Sequence, residues 1–190
     1  MLDSNKRRCE WAGDDPVYVK YHDEEWGVPV LDDKKMFEFL TLESAQAGLS
    51  WITILRRREG YQRVFHDFDP QKVSQMSESD IELALQDTGI IRNKLKVRAA
   101  VNNAKVFLEI QREFGSFINY IWSFVNHKTI KNTWTSQDQV PATSKESDAL
   151  SKDLKNRGMS FIGSTIIYAH MQATGLVNDH IMSCFRYNEV

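Results

Sequence analysis

The chain has 190 residues, 42% of them apolar and 26% charged, with a formal net charge of -2, which suits one compact domain or two small lobes sharing an interface. The near-neutral charge excludes a protein that attracts polyanions through its overall field, so any nucleic-acid surface must be a local patch. No apolar run reaches the ~18 residues of a membrane span, MLDSNKRRC lacks the apolar middle of a secretory leader, and no repeat or low-complexity block occurs, so a cytoplasmic protein with no membrane partner is expected.

The first segment sets Trp11, Tyr18, Tyr21 and Trp26 among acids and turn formers such as Asp15-Pro16 and Gly27-Val28-Pro29, and reads as loop and short turns. Its aromatics form either a lid on the core or, beside a carboxylate, a face for a flat cationic ring. From Met36 the pattern changes. Met36, Phe39, Leu40, Glu43 and Ala47 recur at intervals of three and four, which predicts a helix with Glu43 on its buried stripe. A carboxylate there needs donors or a cation, or its pKa rises until it is neutral. It is either a structural acid bonded to nearby backbone or the charged centre of a site. Gly48 suits a left-handed C-cap, and Ser50 caps a second helix running from Trp51 to about Phe65, whose Arg56, Arg57 and Arg58 read as a solvated face.

Asp69 and Pro70 open a further helix, and Ser77 with Asp80 forms a capping box for another, striped by Ile81, Ala84 and Leu85 and ending near Asp87. TGIIRNKLK follows, from Thr88 to Lys96, and then a long helix through Val97, Val101, Ala104, Phe107 and Leu108. In this helix, hairpin and helix, Gly89 is expected to supply positive φ. The amides of the new helix are expected to face outward, beside Arg92, Lys94, Lys96 and Arg98. Such a hairpin grips phosphates without reading bases, so Gly89, Ile91, Arg92, Lys94 and Lys96 are the candidate DNA phosphate contacts. The alternative is an ordinary turn with a solvated basic face. Ser116 caps a helix over 117–125, and 126–146 reads as a long loop. Ser147 to Leu150 begins a helix closed by Gly158, and Ser164 caps the last, 165–174, closed by Gly175. With no strand pattern, an all-α fold is predicted.

Cys9 and His22 near one end and His180 and Cys184 near the other are ligand types for zinc, and the i, i+4 spacing of the second pair lets one helix face present both. Four such ligands leave no open position, so the metal would be structural and would tie the two ends together. A Cys9–Cys184 disulfide and two unrelated buried thiols are the alternatives. His66, His127 and His170 have no such partner and read as ordinary polar or core histidines.

YHDEEWGVP, LESAQAGLSW, GIIRNKLK, WSFVN and GLVNDH occur together in this order. The combination resembles the bacterial type I 3-methyladenine DNA glycosylases, within the helix-hairpin-helix DNA glycosylase superfamily, from about Cys9 to Cys184. The resemblance implies that fold, with its ends joined by a structural zinc on Cys9, His22, His180 and Cys184. It implies a base pocket in which Glu43 is the catalytic side chain and hydrogen-bonds the damaged adenine. Tyr21 and Trp51 would stack on or flank the base, and Trp11, Tyr18 and Trp26 would complete the wall. The implied activity is excision of 3-methyladenine from alkylated double-stranded DNA by hydrolysis, leaving an abasic site without strand cleavage, by a monomer. Two features depart from the superfamily: Ile91 stands where a second hairpin glycine is common, and its catalytic aspartate has no clear counterpart, which the type I branch shares. Readings from other classes are a non-catalytic zinc-stapled module for abasic or distorted DNA, and a zinc hydrolase, which would need an open metal position.

Overall fold

In the computed structural model, which describes residues 6–190, Asp15 accepts hydrogen bonds from the amides of Val17 and Tyr18, and Pro16 sets the first helical φ. The pair that reads as a turn therefore starts a helix, α1 (Pro16–Glu24). This corrects the expected loop and places Tyr18, Tyr21 and His22 on one rigid element. The expectation about the leader falls partly on residues 1–5, outside the described residues. The next helix, α2 (Asp33–Gln46), is capped by Asp32 and ends before Gly48 at φ +78. The single helix expected from Trp51 to Phe65 is two, α3 (Trp51–Leu55) and α4 (Arg58–Val64), because Arg57 leaves helical dihedrals and its Nη1 donates to the Thr53 carbonyl at 3.1 Å. The arginine run is not a solvated face either. Arg58 donates to Glu25 and Glu38 at 2.6 to 2.8 Å, locking α4 to α2 and the end of α1, and Arg56 pairs with Asp15.

Asp69 caps α5 (Pro70–Ser74), and α6 (Glu78–Ala84) opens with the expected Ser77–Asp80 box. A turn then leads to α7 (Lys94–Phe114), capped by Asn93. Gly89 does not carry positive φ. Close approach is its reason: a Cβ built on Gly60 of α4 would lie 2.2 Å from the Gly89 carbonyl oxygen, and one built on Gly89 would lie 3.1 Å from the Gly60 Cα. Gly60→Ala is therefore expected to force the hairpin off α4 at a cost of about 3 kcal/mol, despite alanine's better helix propensity. For a chain of this size that is a fall of roughly 6–12 °C in Tm by circular dichroism.

The remaining helices are α8 (Phe117–Ser123), α9 (Lys145–Asn156) and α10 (Ser164–Ala173). A Ser144–Ser147 capping box starts α9 earlier than expected, and Gly163, not Ser164, caps α10. One parallel pair, β1 (Ile130–Lys131) with β2 (Val177–Asn178), corrects the strandless expectation. Two residues are too few to show a period of two in sequence. The class is otherwise all-α, and α2 is its centre. Its Met36, Phe37, Phe39, Leu40 and Leu42 are buried, and it packs on α3, α7, α8 and α10. The chain's last segment returns to its first, where the Phe185 amide donates to the Arg7 carbonyl at 2.9 Å. Among the described residues no helix is long and apolar enough to cross a membrane.

Candidate active site and metal centre

Glu43 occupies the buried stripe of α2, as its spacing predicts, and is 2% exposed. Its partner is a side chain from α10: His170 Nδ1 lies 2.6 Å from Glu43 Oε2, and His170 is itself buried. His170, which reads as an ordinary histidine, is thus the neighbour of the central acid. The sequence held one weak signal for it, its place with Ile167 and Met171 on the buried face of α10. Around Glu43 lies a cavity of about 170 Å³, lined by Trp11, Tyr18, Tyr21, Trp26, Glu43 and Trp51. All six residues proposed from sequence for the base site are therefore brought to one space. Gln46, Gln137, Ala169 and Gln172 also line it, and were not foreseen.

Ring packing holds the wall. Trp11 meets Tyr18 and Trp26 at centroid distances of 5.1 and 4.9 Å, and Tyr21 lies 5.5 Å from Trp51. The segment between α8 and α9, expected as one long loop, roofs it at Gln137 and is anchored on Asp179. Asn132 Nδ2 and Trp134 Nε1 donate to Asp179 Oδ1, and Tyr168 Oη and Gln172 Nε2 donate to Oδ2, all at 2.7 to 2.8 Å. Burial raises the pKa of Glu43, opposed by the charge and hydrogen bond of His170. Burial, and then the charge of Glu43, push the Tyr21 hydroxyl well above its usual range. Two atoms of lining residues, Trp51 Nε1 and Gln137 Oε1, are buried without a hydrogen-bond partner among the described residues. Since buried polar groups are ordinarily paired, they are free to meet a ligand. The cavity offers a flat ring aromatic faces, one carboxylate and a few amide groups.

The hairpin differs from expectation. Its amides are largely engaged within the chain: Gly89 donates to Asp87 Oδ1 at 2.7 Å, Ile91 to Tyr61 Oη at 3.2 Å, and Leu95 and Lys96 to the capping Asn93 Oδ1. Lys96 is turned inward, where its Nζ donates to the carbonyls of Ala45 and Ala47 at 2.8 and 2.7 Å. Those are carbonyls a helix end leaves without partners, so Lys96 caps α2 and does not reach out as a phosphate contact. Arg92 and Lys94 are exposed at the surface, Lys94 3.8 Å from Glu82.

Cys9, His22, His180 and Cys184 are all buried, and one ligand atom from each lies within 4.8 Å of every other. Cys184 Sγ is 3.4 Å from His22 Nε2 and 3.4 Å from His180 Nδ1, and Cys9 Sγ is 3.6 Å from His180 Nδ1. His180 and Cys184 do not share a helix face, since they sit in turns after β2. The cysteines are free, which removes the disulfide alternative. The outer ring nitrogens are bonded: His22 Nδ1 to Asp23 Oδ1 at 2.8 Å, and His180 Nε2 to the Trp26 carbonyl at 3.1 Å. Each outer nitrogen meets an acceptor, which leaves the inner ones as acceptors: His180 Nδ1 faces both sulfurs, and His22 Nε2 faces Cys184 Sγ and accepts from the Cys9 amide at 3.3 Å. Cys184 beside it, and then burial, push Cys9 up, while Cys9, His180 and His22 lower Cys184. The four converging donors can hold a metal ion.

A family model described as methyladenine glycosylase matches residues 11–187. DNA-3-methyladenine glycosylase 1 of Escherichia coli is 50% identical over 180 residues, covering 95% of this chain and 96% of that protein. A crystal structure of 3-methyladenine DNA glycosylase I superimposes with a TM-score of 0.92 at 49% identity, covering 94% of this chain and 98% of that one. The Staphylococcus aureus 3-methyladenine DNA glycosylase I, whose recognition of 3-methyladenine has been described structurally, superimposes with a TM-score of 0.91 at 38% identity, covering 94% and 95%. With the family model spanning nearly the whole chain and half its residues shared with a relative of the same length, this protein belongs to the methyladenine glycosylase family.

Proposed function

We propose that this protein excises 3-methyladenine from alkylated duplex DNA by hydrolysis of the N-glycosidic bond, leaving an abasic site. The observation that carries the reading is a buried carboxylate, Glu43, facing an aromatic cavity of about 170 Å³, room for one flat base. Methylation at N3 makes the adenine cationic and its glycosidic bond weak, so the enzyme has mainly to extract and hold it. Flipping the nucleotide costs roughly a few kcal/mol, least at a damaged pair. Tyr21, Trp51 and the tryptophans supply cation-π contacts of about 0.5–2 kcal/mol each, and Glu43 supplies the opposite charge. Water adds to the sugar C1′ and gives up a proton, the C1′–N9 bond breaks, and its electron pair leaves with the base, which becomes neutral. None of the lining residues is lysine, which supports a monofunctional enzyme without strand cleavage.

The turn and helix 89–96, read as the hairpin of a helix-hairpin-helix motif, would grip the DNA backbone through the exposed Arg92 and Lys94 and the backbone at Gly89 and Ile91. Lys96 acts differently. Lys96→Met is expected to cost about 1–2 kcal/mol in urea unfolding, because it strips a charged donor from the end of α2. The salt dependence of DNA binding should stay unchanged, whereas loss of a phosphate contact lowers the slope by about one.

The metal is read as a structural zinc. Tetrahedral bonds of about 2.3 Å to sulfur and 2.0–2.1 Å to nitrogen put N and S roughly 3.5 Å apart, and the recorded separations are 3.4 to 3.6 Å. All four positions are filled by protein, so no catalytic step is assigned to it. The continuous core from Cys9 to Cys184 supports one domain, and a monomer remains the reading for its assembly. Chromatography of bases released from methylated duplex DNA tests the reading. Free 3-methyladenine without 7-methylguanine is expected; binding of abasic DNA with no base released would replace the enzyme with a binding module.

A further inference from the structure

We propose that His170 is the positioning residue of the base site: its Nδ1–H holds Glu43 as a carboxylate with the second oxygen turned to the cavity, so that a purine meets one fixed anion. The inference rests on the glycosylase reading and adds to it a residue that touches neither the cavity nor the base. Glu43 lines the cavity while His170 does not, and the 2.6 Å bond uses Oε2, leaving Oε1 for a ligand.

The tautomer follows from the surroundings. His170 Nε2 is buried and has no hydrogen-bond partner among the described residues. A carboxylate oxygen 2.6 Å from Nδ1 calls for a proton there, and Nε2 has no acceptor among the described residues, so Nδ1 is the nitrogen that donates to Glu43. Other elements around Glu43 add no competing charge to the cavity: α1 presents Tyr18 and Tyr21, both held neutral by burial, α3 presents Trp51, and the roof presents Gln137. The Glu25–Arg58 pair, which also engages Glu38 and Lys35, acts on Tyr21 with opposite signs. His170 is thus the group that opposes the burial of Glu43. Deleting its donor leaves burial unopposed, and the carboxylate is then lost at a higher pH.

The experiment is kcat/KM for 3-methyladenine release between pH 5.5 and 9, for the native protein, His170→Leu and His170→Asn, whose side-chain amide stands where Nδ1 does. For His170→Leu the acidic limb should move up by about one pH unit, giving up to roughly tenfold lower activity on that limb and recovery at alkaline pH. His170→Asn should restore the native limb. A His170→Leu profile that superimposes on the native one after a constant scaling would overturn the proposal and leave His170 a packing residue. Should the leucine variant not fold, imidazole ¹⁵N shifts of the native protein decide: a protonated Nδ1 and a bare Nε2 support the proposal, and the reverse refutes it. Absence of base release by the native protein would count against the glycosylase reading alone, since the ¹⁵N measurement needs no substrate.

Discussion

Glu43→Gln is expected to slow single-turnover release of 3-methyladenine by roughly a hundredfold while leaving affinity for abasic duplex DNA within about twofold. A hydrogen bond to a charged group, made in a dry cavity to a base that is itself cationic, is worth about 2–3 kcal/mol, and each 1.36 kcal/mol is tenfold in rate. Glutamine keeps the shape and can still accept from His170 Nδ1, so the loss isolates the charge. Equal losses in release and in abasic binding would instead make Glu43 a structural acid. The same substitution should stabilise the protein. Burial raises the folded pKa of Glu43, so its contribution is most favourable below the unfolded carboxylate pKa and is lost as pH rises through the folded value. At pH 7 the native protein therefore bears the cost of a buried charge that glutamine lacks. Tm should be higher for Glu43→Gln at pH 7, with the gap narrowing towards pH 4.

Removing the proposed zinc should act on stability and spare the chemistry. Chelation, or Cys184→Ala, undoes a cross-link whose loop spans nearly the whole chain. In the chain-entropy treatment such a link is worth on the order of 5 kcal/mol, a fall of roughly 10–20 °C in Tm for a protein of this size. Below the lowered midpoint, at 25 °C, 3-methyladenine release should persist. Loss of release from a folded, metal-free protein would point to a metal with a chemical role, and an unchanged Tm would remove the structural one.

How far the sequence could be read depended on distance along the chain. Glu43 was legible because its environment is set by neighbours three and four residues away on one helix. His170, 127 residues later, was not, because nothing near it in sequence distinguishes a core histidine from one that faces a carboxylate. Asp15-Pro16 misled because a turn pair and a helix start use the same chemistry: a side-chain acceptor followed by a fixed φ. Lys96 misled because spacing gives a lysine's position on the helix, while the carbonyls of Ala45 and Ala47 that turn it inward belong to another helix. Gly89 was given positive φ as its reason, whereas its reason is the backbone it approaches, Gly60 on α4. The four metal ligands were legible as residue types, but their i, i+4 pair sits in turns, and only the fold brings it to Cys9 and His22.

The cluster also imposes an order in time. Synthesis proceeds at roughly 5–20 residues per second from the N-terminus, so α1 with Tyr18 and Tyr21 leaves the ribosome well before α10 and the segment after it. Two of the four side chains of the cluster, His180 and Cys184, follow much later, Cys184 162 residues after His22. The aromatic wall made first is therefore the part fixed last, and a nascent chain displays Glu43 and the hairpin without a finished pocket. The wall is fastened only when His180 and Cys184 have met Cys9 and His22.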